Sequence, residues 1–390
     1  MPVINRIADY APAMAEWRQD FHAHPELGFE ETRTSGIVAA KLAEWGIEVH
    51  RGLAKTGVVG VLRNGSSGRS LGLRADMDAL PMEEANTFAH RSTTGGKMHG
   101  CGHDGHTATL LGAARYLAET RNFDGTVHFI FQPAEEGGGG AGVMVREGLF
   151  ERFPCDAVYG IHNDPALPLG EAAVVAGTVL AASDRVGITV RGQGGHAARP
   201  HVAIDPVLVG AQIVVALQAL VSRRTDPLDS AVISITQFHA GSAGNVIPEA
   251  AELYGTVRTL RPETQDMMER LITQVAQGTA AAHDAEAEVR YVRGYPPTVN
   301  HPAQTERAAL AAARVLGEER VIRDRPPVMG GEDFSFMLLE RPGCFVKMGQ
   351  KGPDRGSVPL HNPRYDFNDE MLPIGASYFA ALVEQELPRG

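Results

Sequence analysis

The sequence has 390 residues, more than one ordinary hydrophobic core accommodates, so two domains are expected. Hydrophobic residues make up 43% of the chain and charged residues 21%, which is typical of a soluble globular protein. The net charge of -11 argues against a nucleic-acid partner. Three widely spaced cysteines do not indicate a disulfide framework, so a reducing, cytoplasmic location is expected.

The N-terminal residues have a helical pattern instead of the unbroken apolar core of a signal peptide. Apolar residues recur there at helical spacing, at Ile4, Ile7, Ala11 and Met14. One amphipathic helix is therefore predicted. The longest apolar stretch, residues 207–221, is shorter than a membrane span and contains two glutamines, so a buried helix is predicted.

Strand and helix patterns alternate through the first 180 residues. Residues 126–131 are apolar on both faces, as expected of a central parallel strand, and residues 70–76 and 156–161 look similar. Between them, residues 107–119 place apolar side chains on one helical face. This alternation predicts an α/β fold with a helix-covered, mainly parallel sheet.

The pattern changes between residues 181 and 290. Strands and helices are predicted there in the order strand-helix-strand-strand-helix-strand, at 186–190, 204–221, 231–238, 251–259, from Pro262 onward, and at 288–292. This is the order of a ferredoxin-like α+β unit. Residues 1–180 and 291–390 are therefore predicted to form one domain, into which residues 181–290 are inserted.

The strongest local motif is residues 99–106, which read His-Gly-Cys-Gly-His-Asp-Gly-His directly before a predicted helix. Cys101 and His103 are metal-ligand types two residues apart, and the glycines allow a tight turn around an ion. Since one cysteine and three histidines occur within eight residues, this pattern favours a metal site over an incidental glycine-rich turn.

Further candidate ligands follow other predicted strands. Glu135 and Glu136 come directly after the central strand, at the end where open α/β sheets place ligands. One of them could bind a metal while the other accepts a proton from metal-bound water. His162 and His361 are additional donors, on a third strand end and on a loop after a strand near residues 345–348.

Arg74, Asp76 and Asp78 alternate along one face where the strand 70–76 ends. An aspartate in this place could hold a ligand imidazole and fix its tautomer. The sequence has neither a His-Glu-x-x-His motif nor a Cys-x-x-Cys pair, which excludes the commoner single-zinc sites.

Together these motifs resemble the di-metal aminoacylase and carboxypeptidase-G-type metallopeptidases. Within that family the chain is similar to the branch of hippurate hydrolases, N-acetyldiaminopimelate deacetylases and plant auxin-conjugate hydrolases. The resemblance runs nearly end to end through the motifs DFHAHPELGF, RADMDALP, MHGCGHDGHT, FQPAEEG, GQGGHAARPH, NVIP, GTVRTL, MGGEDFSF and LHNPRYDFND.

The resemblance implies two divalent metal ions per subunit and a set of ligands for them. The implied ligands are Cys101, His103, Glu136, His162 and His361. A thiolate favours Zn, while the carboxylate and the imidazoles also accept Mn, Co or Ni, so Zn or Mn is expected first. Glu135 is implied as the general base, with Asp76 as the expected supporting aspartate and Asp78 as the open alternative.

The inserted unit resembles the family's lid and dimerisation domain. His196 is implied to reach the metal site of the partner subunit and to stabilise the oxyanion. Asn245 and Arg258 are implied to hold the substrate carboxylate, although a turn cap and a surface strand residue are their open alternatives. A homodimer or tetramer formed through this unit is expected.

The implied activity is hydrolysis of the amide bond of a small N-acyl amino acid, hippurate-like or N-acetylated. Two cations would lower the pKa of a shared water, Glu135 would take its proton, and the hydroxide would attack the amide carbonyl. A di- or tripeptidase or carboxypeptidase of the same family is the main alternative. A non-catalytic amino-acid- or metal-binding relative should have lost Glu135 or several ligands, and this chain retains them. No nucleic-acid or membrane partner is expected.

Overall fold

The computed structural model describes residues 3–389, and the chain separates into two compact units. The first unit consists of the residues up to Gly177, of Val299–Pro326, and of the residues from Asp333 onward. The second unit consists of Thr178–Thr298 and Pro327–Glu332. The segment 181–290, predicted as an insertion, falls within the second unit.

Strands and helices are numbered here in chain order. The strands are β1 (Glu48–Leu53), β2 (Gly57–Asn64), β3 (Ser70–Asp76), β4 (Gly125–Gln132), β5 (Ala157–Pro168), β6 (Ala172–Ala173), β7 (Gly177–Leu180), β8 (Ala182–Arg191), β9 (Gly195–His196), β10 (Ala231–Ala240), β11 (Val246–Ile247), β12 (Ala250–Thr259), β13 (Glu286–Tyr295), β14 (Thr298–Asn300), β15 (Val321–Ile322) and β16 (Gly343–Lys351). The helices are α1 (Asn5–Ala8), α2 (Ala11–Ala23), α3 (Thr32–Glu44), α4 (His103–Thr120), α5 (Gly140–Arg146), α6 (Leu149–Arg152), α7 (Pro206–Arg223), α8 (Pro262–Ala281), α9 (Pro302–Leu316), α10 (Ser335–Glu340) and α11 (Met371–Glu386).

The first unit is built on an eight-stranded sheet with the strand order β1-β2-β4-β3-β5-β16-β6-β15. Four of its seven neighbouring pairs are parallel, namely β4-β3, β3-β5, β5-β16 and β6-β15. Strand β4 is buried along nearly its whole length, as its apolar residues on both faces predicted. Helix α4 is also almost entirely buried and packs against α2 and α11. The predicted α/β fold with a helix-covered, mainly parallel sheet is confirmed.

The prediction of one continuous N-terminal helix is wrong. The structure has two helices, α1 and α2, separated by a turn at Asp9 and Tyr10. Pro12 has no N–H to donate to a carbonyl group one turn earlier, so a helix cannot run through it without losing a hydrogen bond. Pro12 instead occupies the first turn of α2, where that hydrogen bond is not required.

The second unit is built on a four-stranded antiparallel sheet with the order β10-β12-β8-β13. Its elements follow the chain as β8-α7-β10-β12-α8-β13, the predicted ferredoxin-like order. Helix α7 is long and apolar enough to cross a membrane by length and composition, as core helices of soluble proteins also are. Only one of its faces is buried, through Val209, Ile213, Leu217 and Leu220, so the prediction of a buried helix is correct for that face alone.

Candidate active site

The carboxyl ends of neighbouring strands in the first unit bring the predicted metal donors together. Cys101 lies just before α4 and His103 is its first residue, while β4 leads into Glu136 and His162 lies on β5. Ligand atoms of Cys101, His103 and His162 lie within 4.8 Å of one another. The Cys101 Sγ atom is 3.5 Å from His162 Nε2. Parallel neighbours end at the same edge of a sheet, so residues far apart in sequence meet there.

Three further donor groups overlap with this one, and Asp76, His103 and His106 form one of them. Cys101, Glu136 and His361 form the second, and His103, Glu135 and Glu136 form the third, each with ligand atoms within 4.8 Å of one another. The Glu136 Oε1 atom is 3.1 Å from His361 Nε2. The structure thus brings all five predicted metal donors into one contiguous cluster with Glu135.

Both buried histidines of the cluster are oriented by their Nδ1 atoms. His103 Nδ1 donates a hydrogen bond to the main-chain oxygen of Asp78, at 2.9 Å, and lies 3.2 Å from its Oδ1 atom. His162 Nδ1 donates to the main-chain oxygen of Asn163, at 2.8 Å. Because Nδ1 carries the proton in each ring, Nε2 is the atom left to bind a ligand.

The residues of this cluster fit a pair of divalent cations. His103 Nε2 is buried, and no other described residue forms a hydrogen bond with it. Burial lowers the pKa of His103, but Asp76 and Asp78 outweigh that effect and raise it well above its usual range. A bound cation would displace the Nε2 proton that this raised pKa favours and would take its place beside the carboxylates. One thiol, three imidazoles and a carboxylate are also donors that zinc and neighbouring transition metals accept.

In the other two donors of the first group, Cys101 and His162, burial is the dominant effect on the pKa and favours the uncharged form. Burial, followed by the carboxylate of Glu136, raises the pKa of the Cys101 thiol to about 12. Burial lowers the pKa of His162 well below its usual range, which keeps its imidazole neutral. Since only a thiolate and a neutral imidazole bind metals well, a bound cation would have to displace the proton of Cys101 but none from His162 Nε2.

The two aspartates that follow Arg74 have different partners. Asp76 Oδ2 accepts from the Arg74 guanidinium at 2.8 Å, and Asp76 Oδ1 lies 2.6 Å from His106 Nδ1. Asp76 Oδ2 is also 3.7 Å from His103 Nε2. Asp78 contacts His103 on the Nδ1 side, as described above. Asp78 therefore holds the tautomer of His103 from the Nδ1 side, while Asp76, in its buried ion pair with Arg74, lies on the Nε2 side.

In the turn after β4, the side chains of Glu135 and Glu136 extend toward different partners. Asp78 Oδ1 accepts from the main-chain N–H of Glu135 at 3.0 Å, and Asp78 Oδ2 accepts from that of Glu136 at 2.9 Å. The Glu135 carboxylate is buried, and its Oε1 atom lies 3.4 Å from the main-chain nitrogen of Asp333. The Glu136 carboxylate extends toward His361 instead, so the two adjacent side chains face different partners.

Sequence reasoning missed two residues of this site. His106 bridges Asp76 and Asn163, whose Oδ1 atom is 2.7 Å from His106 Nε2. His106 ends the motif 99–106 and lies one helical turn after His103. That spacing places both imidazoles on one face of the helix and could have identified His106 from the sequence. Asn163 directly follows His162, and nothing in a lone asparagine distinguishes it from a turn residue.

The second unit holds the remaining three predicted residues. His196 on β9 pairs with Val246 on β11, and the neighbouring Ala197 donates to the main-chain oxygen of Asn245 at 3.1 Å. His196 and Asn245 line one cavity of about 440 Å³ together with Gly194, Gly195, Val246, Ile247, Pro248 and Glu249. Arg258 is not among the lining residues; it lies half-buried on β12, where its guanidinium contacts the main-chain oxygens of Asp184 and Val257.

Several known proteins are similar to this chain in both sequence and fold. The family described as peptidase family M20/M25/M40 matches residues 72–385. Hippurate hydrolase from Campylobacter jejuni is 42% identical over 382 residues, covering 98% of each chain. N-acetylcysteine deacetylase from Bacillus subtilis is 40% identical over 367 residues, covering 94% of each. The crystal structure of a dinuclear metal-binding peptidase of the M20 family from B. subtilis matches with a TM-score of 0.85 at 35% identity, covering 97% of this chain and 99% of the other.

These matches extend over nearly the full length of the relatives, so the similarity includes both units of the chain. The resemblance drawn from the motifs is confirmed, as is the prediction of a hydrolase that acts on amides. The chain belongs to peptidase family M20/M25/M40 and is an amide-bond hydrolase.

Proposed function

We propose that the protein is a metal-dependent amidohydrolase that cleaves the amide bond of small N-acyl amino acids, hippurate-like or N-acetylated. The observation that carries the proposal is the cluster of five metal donors around the buried Glu135 carboxylate. The similarity to a hippurate hydrolase and to an N-acetylcysteine deacetylase supports this substrate class.

Five residues would hold two divalent cations, Zn or Mn first and Co or Ni as alternatives: Cys101, His103, Glu136, His162 and His361. When bound, such cations lower the pKa of a water molecule and polarise the substrate carbonyl. Asp78, the alternative left open by the sequence, supports the site by holding His103 at Nδ1. Asp76, the aspartate expected first, pairs with Arg74 and His106 and lies 3.7 Å from His103 Nε2.

Glu135 would act as the general base and then as the general acid. Its carboxylate would accept a proton from the attacking water and return it to the leaving amine nitrogen. Only 7% of its surface is exposed, and a carboxylate in such a place is shielded from bulk water. The orientation that Asp78 imposes on the main chain at Glu135 would keep the carboxylate beside the donor cluster.

Three residues of the second unit would bind the substrate. His196 would stabilise the oxyanion at the metal site of the partner subunit, and Asn245 and Arg258 would hold the substrate carboxylate. The cavity shared by His196 and Asn245 supports the first two assignments. For Arg258, the support is a half-buried guanidinium, and burial lowers its pKa, so an anionic partner would stabilise its charge.

The second unit would also mediate assembly into a homodimer or tetramer. Helix α7 exposes Val207, Leu208 and Val215, and β10 is an edge strand of the sheet. Apolar helix faces and open sheet edges are surfaces through which two copies of a chain pair. The three cysteines are unpaired thiols, which supports a reducing, cytoplasmic location.

The first test separates the roles of the two adjacent glutamates. We expect a chelator to abolish hydrolysis of hippurate and N-acetyl amino acids, and Zn or Mn to restore it. Glu135→Gln should lower kcat at least about 10²-fold at normal metal content, because it removes only the base. Glu136→Gln should lose metal, as measured by elemental analysis. Full activity in metal-free protein would contradict the proposal, and faster hydrolysis of dipeptides than of N-acyl amino acids would favour the peptidase alternative.

A further inference from the structure

The residue directly before Glu135 has an unfavourable backbone conformation. Ala134 lies in the left-handed region with φ 54°, which is uncommon for a residue with a Cβ atom and persists only where the surroundings impose it. Two glycines make room for it. A Cβ atom added to Gly28 would lie 2.9 Å from the Ala134 Cβ atom, and one added to Gly138 would lie 2.7 Å from it.

Two buried carboxylates hold the main chain of this turn at three consecutive N–H groups. Asp78 accepts from Glu135 and Glu136, as described above. Glu31 Oε1 accepts from the Ala134 N–H at 2.9 Å. Glu31 has an exposed fraction of 0%, so water does not compete for this hydrogen bond.

The Glu31 carboxylate is not used by the helix that it precedes. Glu31 stands at the N-cap of α3, but the first turn of that helix is capped by Glu26, whose carboxylate accepts from the N–H groups of Arg33 at 2.9 Å and Thr34 at 2.8 Å. Besides the Ala134 N–H, Glu31 accepts from Thr56 Oγ1 at 2.6 Å. Its side chain therefore connects the N-terminal segment to the turn that carries Glu135.

Keeping a carboxylate in this position is costly for the fold. Burial is the largest effect on Glu31 and raises its pKa to about 7. An apolar residue of similar size would avoid that cost, but it would leave the buried Ala134 N–H without this acceptor. Residues that break a local rule of stability in this way are expected at functional sites.

We propose that Glu31 is a positioning residue for catalysis: by accepting the Ala134 N–H, it fixes the direction in which the Glu135 side chain leaves the main chain. The inference rests on the proposed role of Glu135 as the base. In this role Glu31 would touch neither the substrate nor a metal ligand.

The test compares two replacements of nearly equal size in the metal-loaded protein. Glu31→Met removes the acceptor and should lower kcat by about 10- to 100-fold, because a small displacement of a catalytic group costs that much. Its KM and its metal content should remain at the wild-type values. Glu31→Gln keeps an oxygen that accepts the Ala134 N–H, so its kcat should remain close to that of the wild type.

Two further variants separate positioning from stability. Glu26→Ala removes the cap of α3 without touching Ala134, so it should lower Tm while kcat of the folded protein is unchanged. A Cβ atom at residue 28 would lie 2.9 Å from the Ala134 Cβ atom and 3.0 Å from its Cα atom, so Gly28→Ala should displace the same turn and lower kcat as Glu31→Met does. This variant keeps the test decisive if Glu31→Met does not fold.

The outcomes distinguish this inference from the proposed function. A metal-loaded wild type that hydrolyses no N-acyl amino acid would refute the proposed function itself. An active wild type combined with wild-type kcat in Glu31→Met and Gly28→Ala would overturn the positioning role alone. Equal losses of kcat in Glu31→Met and Glu31→Gln, or loss of metal from Glu31→Met, would also overturn it.

Discussion

His22 is a buried imidazole between two carboxylates. Its Nδ1 atom lies 2.8 Å from Asp104 Oδ2, and its Nε2 atom lies 3.2 Å from Glu84 Oε1. Burial lowers the pKa of His22, but hydrogen bonds to Asp104 and Glu84 outweigh that effect and raise it to about 9. Because the pKa is higher in the folded state, His22 stabilises the fold fully below its unfolded pKa of about 6.5, and this contribution is lost as pH rises through about 9.

Replacement of His22 should therefore change how stability depends on pH. We expect the difference in unfolding free energy between the wild type and His22→Asn to decrease by about 3 kcal/mol between about pH 6 and about pH 10. Urea unfolding at several pH values measures this difference. Parallel stability curves for the two proteins would show that folding does not raise the pKa of this imidazole.

Site residues were predictable where they stood in a local pattern. Cys101 and His103 occur in one dense motif, and Asp78 alternates with Asp76 along a strand, so short-range rules identified them. Glu31 differs, because its hydrogen-bond partner Ala134 is 103 positions away. A glutamate at the start of a helix is ordinary in sequence, and only the folded chain shows that its carboxylate turns away from that helix.

At the scale of elements, Arg18 anchors helix α2 to two segments that carry predicted metal donors. The buried guanidinium donates to Asp369 Oδ1 at 2.7 Å and to Asp366 Oδ1 at 2.9 Å, both on the segment that follows His361. It also lies 3.7 Å from Asp104 Oδ2, in the first turn of α4. Three parts of the first unit are thus held by one cation.

Replacement of Arg18 should strongly destabilise the fold. Arg18→Met removes a buried guanidinium from beside the carboxylates of Asp104, Asp366 and Asp369, and breaking a buried ion pair costs about 3–5 kcal/mol of unfolding free energy. Arg293 provides the matched control, since its pairs with Asp266 and Glu269 are exposed, and Arg293→Met should cost less than about 1 kcal/mol. Chemical denaturation compares the two variants, and equal losses would show that burial of Arg18 is not decisive.

Element types followed from the sequence more reliably than element ends. Strand β4 was expected because it is apolar on both faces, and helix α4 because its apolar residues recur on one helical face. The helix break before Pro12 was missed, because the apolar spacing of α1 and α2 continues in phase across the turn. Periodicity reports which face is buried, whereas the break depends on a single main-chain hydrogen bond.

At the scale of the whole molecule, the proposed dimer can be tested by combining two inactive variants. Glu135→Ala lacks the base, and His196→Ala lacks the proposed oxyanion group. If His196 acts on the partner subunit, a mixed dimer contains one complete site, since the His196→Ala subunit keeps Glu135 and receives an intact His196. Random exchange makes about half of the dimers mixed, so roughly a quarter of wild-type activity should return.

The control for this experiment is each variant alone, which should remain inactive after the same treatment. Subunit exchange itself is verified by native mass spectrometry of differently tagged chains. If exchange occurs and activity does not return, His196 acts within its own chain or not at all in catalysis.

The arrangement of strands in the first unit was beyond the reach of local patterns. Residues 70–76, 126–131 and 156–161 were each recognised as buried strands, but their sheet order places β3 between β4 and β5 and adds β16 from the far end of the chain. Pairing between strands depends on which apolar faces fit together in three dimensions. Local sequence patterns therefore do not predict the order of the strands in the sheet.

The hydrogen bond between Glu31 and Ala134 closes a loop of about a hundred residues, so the turn that carries Glu135 has a high contact order. This hydrogen bond can form only once the N-terminal segment is packed against the turn, and forming it closes a long loop. The family match begins at residue 72, and a fragment starting there would retain every predicted metal donor. Such a fragment would lack Glu31, the acceptor for the Ala134 N–H, so we expect the N-terminal segment to be required for the proposed orientation of Glu135.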